Sequence, residues 1–289
     1  MVEIRGELVW FITGTSSGFG RELVHAALNR GDCVVATARE LEKIQDFPKT
    51  DKIRLLQLDV TDGFANIQAK LNKAISFFGR VDVVVNNAGA GVPCLLEEGG
   101  SDMLRKQFDV NLFGLVDVTT AILPHMRSRR SGTVVLIGSR SSWAQLPPSG
   151  LYASSKAAVR VLGEGLNEEL TPFGIRTLIV EPGMFRTNFL SGAVYTGNPI
   201  PDYDDMRDEV AKRRRGAEQH MTGDPAKAME LLVDVVRGEG KAKGKAWPLY
   251  LPMGAATDDA IQAKTKTMLG VLDEWRDIIR DLDFDKKEL

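Results

Sequence analysis

Short apolar runs alternate along this sequence with longer stretches in which apolar residues recur at helical spacing. The strand-like runs cover residues 8–13, 33–37, 53–58, 81–85, 133–137, 175–180 and 247–251, and the longest helical stretches cover 102–126 and 152–170. Continuously apolar strands are typical of a parallel sheet covered on both faces, and repeated β-α units form a doubly wound sheet with right-handed crossovers. We therefore predict an α/β fold with a doubly wound parallel sheet, in a single domain over residues 1–289.

Two regions fall outside this alternation. Residues 190–222 contain glycines and prolines and then a mixed-charge segment. Because such an insertion in an α/β enzyme usually covers the ligand crevice, we predict a helical substrate lid. Residues 253–289 are predicted to form a C-terminal helical extension that packs against the sheet or a second subunit. Its apolar residues at helical spacing are Met268, Leu269, Leu272, Trp275, Ile278, Ile279 and Leu282.

Composition excludes several classes of protein. With 37 Lys and Arg against 39 Asp and Glu, the net charge is −2, which argues against nucleic acid or an anionic membrane surface as the main partner. Two cysteines and three histidines are too few for a disulfide framework or a metal site built from those residues. No apolar run approaches the roughly 18 residues of a membrane span, and the N-terminus does not resemble a signal peptide. We expect a cytoplasmic protein without a metal.

A glycine-rich turn separates the first predicted strand from the first predicted helix: Gly14-Thr15-Ser16-Ser17-Gly18-Phe19-Gly20. Glycines there let backbone N–H groups approach a pyrophosphate at the positive end of the helix. The spacing G-x-x-x-G-x-G differs from the dinucleotide fingerprint G-x-G-x-x-G, and a glycine turn alone is as often structural. Its place between strand and helix favours cofactor binding.

Tyr152 and Lys156 are predicted to share one face of a helix, with their Cβ atoms about 5–6 Å apart. A phenol with a pKa of about 10 is a poor base at neutral pH. A nearby ammonium lowers that pKa, which makes the tyrosine a usable proton donor and acceptor. Ser139 follows the strand over 133–137, at the sheet edge where open α/β folds bind ligands. By itself, a Tyr-x-x-x-Lys pair is common on solvated helix faces.

Together these motifs resemble the short-chain dehydrogenase/reductase family in its non-extended form, over about residues 7–252. Residues 13–20 are similar to its T-G-x-x-x-G-x-G turn, and Asn86-Asn87-Ala88-Gly89 to its N-N-A-G motif. The family's catalytic tetrad is matched by Asn111, Ser139, Tyr152 and Lys156. Its nicotinamide segment is matched by Pro182, Gly183 and Thr187, and its adenine contact by Asp59 with Val60 beside it. The resemblance implies a Rossmann fold and an oxidoreductase.

The same resemblance implies a role for each residue of the tetrad. Tyr152 would be the general acid in ketone reduction, or the base in alcohol oxidation, and Ser139 would hold the substrate oxygen. Lys156 would lower the pKa of Tyr152 and bind the nicotinamide ribose, while Asn111 would support a water that relays protons to Lys156. The cofactor carries the hydride chemistry, so no metal is needed.

The end of the second predicted strand indicates which cofactor binds. An NAD site is expected to have a carboxylate there for the ribose hydroxyls, but here Thr37 and Ala38 are followed by Arg39, and Glu40 lies one position further on. A guanidinium can pair with the 2′-phosphate of NADP. We predict NADP in preference to NAD. The alternative is that Arg39 only begins a solvated helix.

The expected substrate pocket is largely apolar and aromatic, which favours a hydrophobic ketone or secondary alcohol over a charged metabolite. The residues predicted to bind substrate are Ser139, Ser141, Trp143, Tyr152, Phe185 and Phe189. The sequence is also similar to the branch loosely called 17β-hydroxysteroid-dehydrogenase-like, a label that does not identify the substrate.

Two other functions stay open at this stage. One is an NADP-binding regulator or scaffold without turnover, against which the intact tetrad argues. The other is an S-adenosylmethionine-dependent methyltransferase, which has a similar glycine turn but no use for a Tyr-Lys pair. The family's subunit interface commonly uses the two long helices over 102–126 and 152–170, so we expect a homodimer or homotetramer.

Overall fold

The computed structural model of the chain describes residues 6–145, 147–189, 195–282 and 284. At its centre is one sheet of seven parallel strands in the order β3-β2-β1-β4-β5-β6-β7. The strands are β1 (Val9–Ile12), β2 (Cys33–Ala38), β3 (Ile53–Gln57), β4 (Val83–Asn86), β5 (Gly132–Ile137), β6 (Ile175–Pro182) and β7 (Tyr250–Met253). The predicted doubly wound parallel sheet is confirmed, and each strand boundary lies within about three residues of the prediction.

The described residues form eight α-helices around this sheet. They are α1 (Gly18–Asn29), α2 (Phe64–Phe78), α3 (Leu96–Phe108), α4 (Gly114–Arg129), α5 (Gly150–Leu170), α6 (Asp204–His220), α7 (Pro225–Arg237) and α8 (Ala255–Ile279). None of the described helices combines the length and the apolar composition that crossing a membrane requires.

The single helix predicted over 102–126 is wrong in one respect. A π-helical segment, Asp109–Phe113, joins α3 to α4. Such segments insert an extra residue into a helix and are frequent at functional sites. The segment carries Asn111, which is buried. Immediately after it, Gly114 packs so closely on the loop after β3 that a Cβ would lie 2.7 Å from the Val60 carbonyl oxygen.

Burial on both faces explains why the central strand β1 is apolar at every position. In β1, successive side chains point to opposite faces of the sheet. Trp10 and Ile12 join the apolar cluster that contains α1 and α7, whereas Val9 and Phe11 join the cluster that contains α2, α4 and α5. All four side chains are completely buried. For side chains such as Val, Ile and Phe, burial contributes about 1.5–3 kcal/mol each.

The strand order determines where a ligand crevice lies. β2 and β3 are added to one side of β1 in the sheet. The later strands β4 to β7 are then added in order to the other side. In open α/β sheets the crevice forms beyond the carboxyl ends of the strands where this direction reverses, here between β1 and β4. The loops after β1, β4, β5 and β6 therefore meet at one edge of the sheet.

The two regions outside the strand-helix alternation are both helical. In the predicted lid, residues 190–194 lie outside the described residues, and α6 forms most of the remainder. The predicted extension is α8, and the part of its tail from 285 to 289 also lies outside the described residues. The prediction that this helix packs against its own sheet is wrong beyond Ala260. The helix extends past the edge of the sheet from which it starts, and the residues from 262 to 282 are exposed.

Candidate active site

The glycine turn after β1 is tied to the loop after β4. The Thr13 hydroxyl accepts hydrogen bonds from the backbone N–H groups of Asn87 and Ala88, at 3.0 and 2.9 Å. The Asn87 side-chain amide donates to the carbonyls of Thr13 and Gly14, at 2.8 and 3.0 Å. These bonds hold together the two loops that border the crevice. They also explain why Asn87, Ala88 and Gly89 follow β4 directly.

The turn itself leaves no room for side chains at two of its glycines. A Cβ on Gly20 would lie 2.4 Å from the Gly14 carbonyl oxygen, and a Cβ on Gly14 would lie 2.9 Å from the Ala88 Cα. Gly14 and Gly18 also have φ values of +71° and +55°, in the left-handed region that favours glycine. The turn is therefore a cradle made of backbone.

The start of α1 fits the phosphates of a dinucleotide. The helix begins at Gly18, and the Ser17 side chain makes no capping hydrogen bond, so the first N–H groups of the helix have no acceptor from that side chain. Free N–H groups at a helix N-terminus bind anions. Thr15, Ser16 and Phe19 are the other residues of the turn. The backbone N–H of Thr15 donates to the Thr37 carbonyl at 2.9 Å. This cradle, which a Cβ at Gly20 would fill, fits a dinucleotide cofactor.

The loops after β2 and β3 hold the residues predicted to bind the adenosine part of the cofactor. Arg39 follows β2 directly and its side chain is exposed, while Glu40 pairs with Lys43 at 2.7 Å. After β3, the Asp59 carboxylate accepts hydrogen bonds from the backbone N–H and the hydroxyl of Thr61, at 2.9 and 2.8 Å. Beside Asp59, Val60 is buried. The exposed side chain directly after β2 is thus the guanidinium of Arg39, and the carboxylate of Glu40 beside it pairs with Lys43.

Tyr152 and Lys156 lie one turn apart on α5 and face the carboxyl end of β5. The Lys156 amine is buried and donates to the Ile137 carbonyl at 2.7 Å. Ser139 is also buried, just beyond β5; its hydroxyl accepts the Ser141 N–H at 3.1 Å and lies near enough to the Tyr152 phenol to lower the pKa of that phenol. The structure thus brings the tyrosine, the serine and the lysine of the predicted tetrad together.

The protonation states differ from the sequence-based expectation. Burial raises the pKa of Tyr152 to about 12, and the hydrogen bond with Ser139 acts in the opposite direction. Burial lowers the pKa of Lys156 to about 8. The expected lowering of the Tyr152 pKa is therefore wrong for the unliganded chain, because burial outweighs the other influences and the lysine amine turns to the Ile137 carbonyl. At neutral pH the phenol keeps its proton, as a proton donor must.

Asn111 completes the tetrad from the π-helical segment. Its amide donates to the Ala90 carbonyl at 2.9 Å and to the Ser155 hydroxyl at 3.0 Å, and its oxygen accepts the Ala90 N–H at 2.9 Å. The Asn111 oxygen and the Lys156 amine lie 3.3 and 3.4 Å from the point that a Cβ on Gly89 would occupy. The two groups therefore border the same small space at Gly89, and the water relay between them stays a prediction.

The segment after β6 returns to the glycine turn. Gly183 donates from its N–H to the Met253 carbonyl at 2.9 Å, immediately after Pro182 ends β6. Thr187 then lies over the turn, with its Cβ 3.5 Å from the point that a Cβ on Gly18 would occupy. Of the residues predicted to flank the nicotinamide, Thr187 therefore lies beside the glycine turn, and Gly183 lies against the end of β7.

The predicted substrate residues do not share one wall. The Phe189 ring lies 5.4 Å from the Tyr152 ring, between centroids, and lines the space beside the phenol. Phe185 instead packs edge-on against Phe19 of the glycine turn, at 5.3 Å. Trp143 donates its indole N–H to the Glu181 carboxylate at 2.6 Å. Of the predicted aromatic residues, Phe189 is therefore the one in contact with Tyr152.

Buried polar residues that the sequence analysis did not single out support this site. Gln107 accepts the Val92 N–H at 3.0 Å and donates to the Ala90 carbonyl, which fixes the loop beyond Gly89. Glu181 accepts the Ser142 hydroxyl at 2.9 Å and thereby holds the turn that begins at Ser139. A carboxylate inside the otherwise apolar run of β6 was the available signal for Glu181. Gln107 lies one helical turn before Asn111, which was the signal for that residue.

A buried carboxylate fixes the lid to α3. Glu98 accepts the Ile200 N–H at 2.8 Å, and it also accepts hydrogen bonds from the Tyr195 hydroxyl and the Arg207 guanidinium. The Glu98 side chain is completely buried and that of Arg207 nearly so. Tyr195, Ile200 and Arg207 all belong to the lid region, so this one side chain joins three points of the lid to the body of the protein.

Replacing Glu98 with Ala is expected to detach the lid, because it leaves the Arg207 guanidinium without its buried partner. We expect a loss of about 3–5 kcal/mol in the free energy of unfolding of the lid region, measured by hydrogen exchange of residues 195–210. The matched control is Glu97→Ala, which removes an exposed carboxylate bonded to the Tyr203 hydroxyl at 2.7 Å and should cost less than about 1 kcal/mol. Equal protection of the lid in both variants would contradict the anchoring role.

Comparison with known proteins identifies what this arrangement is similar to. Residues 8–195 match the family model for short chain dehydrogenase. Oxidoreductase BOA17 of Botryotinia fuckeliana is 32% identical over 276 residues, which cover 93% of this chain and 97% of that protein. The crystal structure of a short-chain dehydrogenase from Streptomyces avermitilis is 37% identical with a TM-score of 0.84, and the match covers 96% of this chain and all of the other.

More distant solved structures share the fold and contain nicotinamide cofactors. A short chain dehydrogenase from Burkholderia cenocepacia in complex with NADP is 22% identical, with a TM-score of 0.70 over 93% of this chain and 97% of that one. A short chain dehydrogenase/reductase from Burkholderia phymatum in complex with NAD is 20% identical, with a TM-score of 0.76 over 99% of both chains. Both cofactors thus occur among proteins of this fold.

Proposed function

This chain belongs to the short-chain dehydrogenase family of oxidoreductases, and on that premise we propose that it transfers a hydride between NADP(H) and a hydrophobic ketone or secondary alcohol, with Tyr152 as the general acid and base. The observation that carries the proposal is the placement of the Tyr152 phenol, the Ser139 hydroxyl and the buried amine of Lys156 around the carboxyl end of β5. Hydride chemistry itself is supplied by the nicotinamide when it is bound.

Four residues of the chain bind the substrate oxygen and transfer the proton. Ser139 donates a hydrogen bond to the carbonyl oxygen of the substrate and stabilises the negative charge that develops there. Tyr152 then gives its phenolic proton to that oxygen, which yields the alcohol. Lys156, whose pKa is about 8, carries its proton at neutral pH and stabilises the phenolate that remains. Asn111 holds a water through which the proton of Tyr152 is replaced.

The backbone cradle around Gly14, Gly18 and Gly20 supports binding of the cofactor phosphates. Asp59 and Val60 would hold the adenine, while Pro182, Gly183 and Thr187 would border the nicotinamide. NADP rather than NAD is favoured by Arg39, which is exposed directly after β2, and by Glu40, which is paired with Lys43. The guanidinium is then available to the 2′-phosphate.

Arg39→Ala tests this cofactor preference. We expect the KM for NADPH to rise about 10- to 100-fold, the size of one or two charge-assisted hydrogen bonds, and the KM for NADH to change by less than about twofold. Steady-state kinetics with both cofactors provide the measurement. Lys49→Ala removes the same charge from an exposed position outside the site and should leave both values unchanged. An equal rise for NADPH and NADH would overturn the preference for NADP.

The substrate class rests on the apolar surroundings of the phenol. Phe189 lies against Tyr152, and the loop after β4 adds Val92, Pro93 and the buried Cys94. A pocket so lined favours a hydrophobic carbonyl. The experiment is a screen of apolar ketones with NADPH and NADH, and of secondary alcohols with NADP⁺ and NAD⁺. Absorbance at 340 nm measures the consumption or formation of the reduced cofactor. Turnover of charged keto acids in preference to apolar ketones would contradict the proposed class.

The competing function is an NADP-binding regulator or scaffold without turnover. The presence of all four tetrad residues argues against this function, since a protein that only binds NADP does not need the buried Lys156 beside the protonated phenol of Tyr152. Saturable binding of NADPH without turnover of any ketone in the screen would favour the regulator. A cytoplasmic location and a homodimer or homotetramer complete the proposal, and membership of the 17β-hydroxysteroid-dehydrogenase-like branch stays a prediction.

A further inference from the structure

The C-terminal half of α8 has an apolar face that nothing in the described part of the chain covers. Ala260 is the last buried residue of the helix, and the residues from 262 to 282 are exposed. The large apolar side chains of this half are between 42% and 79% exposed: Met268, Leu269, Val271, Leu272, Trp275, Ile278, Ile279 and Leu282. Monomeric proteins rarely expose a contiguous apolar patch of more than a few hundred Å². This face therefore has the character of a surface that binds a partner.

The spacing of these residues is that of a helix that pairs with another helix. Met268, Leu272, Trp275, Ile279 and Leu282 follow one another at intervals of four, three, four and three residues, which is the repeat of a coiled-coil seam. Val271 and Ile278 widen the seam along one side. The opposite face is charged and carries Asp273, Glu274, Asp277, Arg280 and Asp281.

The charges of this polar face argue against a membrane as the partner. An amphipathic helix that lies on an anionic bilayer carries Lys and Arg on its polar face. Between 262 and 282, the exposed segment has four acidic residues and four basic ones, so it has no excess of positive charge. The base of α8 is fixed, since Thr257 is buried and its hydroxyl donates to the Met253 carbonyl at 3.1 Å. A fold-back of the apolar face onto its own sheet would break this attachment.

We propose that α8 pairs with α8 of a second copy of this chain, antiparallel, about a two-fold axis that passes between Leu272 and Trp275. In this arrangement Leu272 of each copy faces Trp275 of the other, and Met268 faces Ile279. Two-fold symmetry repeats each contact, so the centre of the interface has four apolar layers. The pairing is independent of the proposed chemistry.

The attachment of α8 favours the antiparallel arrangement over the parallel one. The first turns of α8 are packed against the rest of the protein, with Thr257 and Ala260 buried. Antiparallel pairing places these packed ends at opposite ends of the interface, whereas parallel pairing would bring the two protein bodies to the same end.

The exposed area is sufficient for a stable dimer. The exposed part of α8, from 262 to 279, is about 27 Å long. The large apolar side chains between 268 and 282 together expose on the order of 800 Å² per copy, an upper limit to what pairing can bury and comparable with what each partner contributes to a standard stable interface. This surface lies apart from α4 and α5, so it adds an interface to any that those helices form.

Sedimentation equilibrium of the whole chain tests the pairing. Leu272→Asp/Ile279→Asp should have half the molar mass of the wild type, because two charges in the seam separate the helices. The matched control, Ala263→Asp/Gly270→Asp, adds the same charges seven residues apart on the polar face and should keep the wild-type mass. Both positions of the test variant are exposed in the single chain, and an unchanged far-ultraviolet circular dichroism spectrum verifies folding. A monomeric wild type, or a test variant with the wild-type mass, would overturn the proposal.

Cysteine cross-linking tests the orientation independently of mass. The native Cys33 and Cys94 are buried. Under mild oxidation, a mixture of Met268→Cys and Ile279→Cys chains should form a disulfide-linked dimer, whereas neither variant alone should, because identical positions lie about 16 Å apart along the antiparallel pair. Dimers of each variant alone would overturn the antiparallel arrangement. Co-sedimentation of the wild type with phosphatidylserine vesicles, lost in Leu272→Asp/Ile279→Asp, would overturn the second copy in favour of a membrane.

Discussion

Tyr152→Phe is expected to lower kcat for ketone reduction by about 100- to 10,000-fold, the contribution of a positioned general acid. The phenylalanine ring keeps the contact with Phe189 but has no proton to give to the substrate oxygen. Because the pKa of Tyr152 is raised to about 12 by burial, the proton is present in the parent enzyme throughout the neutral range, and the whole effect appears at pH 7. Stopped-flow absorbance at 340 nm measures the rate.

Binding of NADPH separates this loss from a structural one. The dissociation constant from NADPH fluorescence should change by less than about twofold, since one hydroxyl group at the substrate side contributes little to phosphate binding. Tyr250→Phe is the matched control, because Tyr250 lies on the edge strand β7 away from the crevice and its loss of a hydroxyl should leave kcat unchanged. Activity of Tyr152→Phe within about tenfold of the parent would remove Tyr152 from its role.

Gly20→Ala should produce the second large effect, a loss of cofactor binding. The added Cβ would lie 2.4 Å from the Gly14 carbonyl oxygen and 2.5 Å from the Asn87 amide nitrogen, so the turn must move. A displacement of about 1 Å costs on the order of 100-fold in rate, and we expect that loss in kcat/KM for NADPH. Overpacking should also lower the free energy of unfolding by about 1–3 kcal/mol, measured by urea denaturation.

Gly165→Ala is the control for this substitution. Gly165 lies in α5, and a Cβ there would meet no atom within 4 Å. Because alanine favours a helix over glycine by about 1 kcal/mol, this variant should be slightly more stable than the parent and equally active. A Gly20→Ala enzyme with the kinetics of the Gly165→Ala enzyme would contradict the assignment of the turn to the cofactor.

The sequence predicted the elements that burial dictates. The central strand β1 lies between two layers of helices, so every position is apolar, and that pattern is readable without coordinates. The meeting of Ser139 with Tyr152 was also predictable, because both lie at the carboxyl edge of the sheet. The π-helical segment at Asn111 was not, since one inserted residue changes the apolar periodicity too little to detect.

Long-range contacts set the limit of prediction from sequence. Glu98 binds partners about a hundred positions away, at Tyr195, Ile200 and Arg207, and no local pattern connects them. The direction of the Tyr152 pKa shift likewise depends on depth of burial, which the Tyr-x-x-x-Lys spacing does not reveal. The contact of Phe185 with Phe19 was likewise not readable from the sequence, because it depends on how the segment after β6 passes the glycine turn; its place beside the substrate stays a prediction.

The most direct measurement is a crystal structure of the chain with NADP⁺ bound. The account predicts that the nicotinamide ring lies between Thr187 and the tetrad, with the Tyr152 oxygen and the Ser139 hydroxyl facing its reactive carbon across a gap that one carbonyl group would fill. A phenol oxygen directed away from the ring, or a cofactor bound elsewhere than at the glycine turn, would contradict the account.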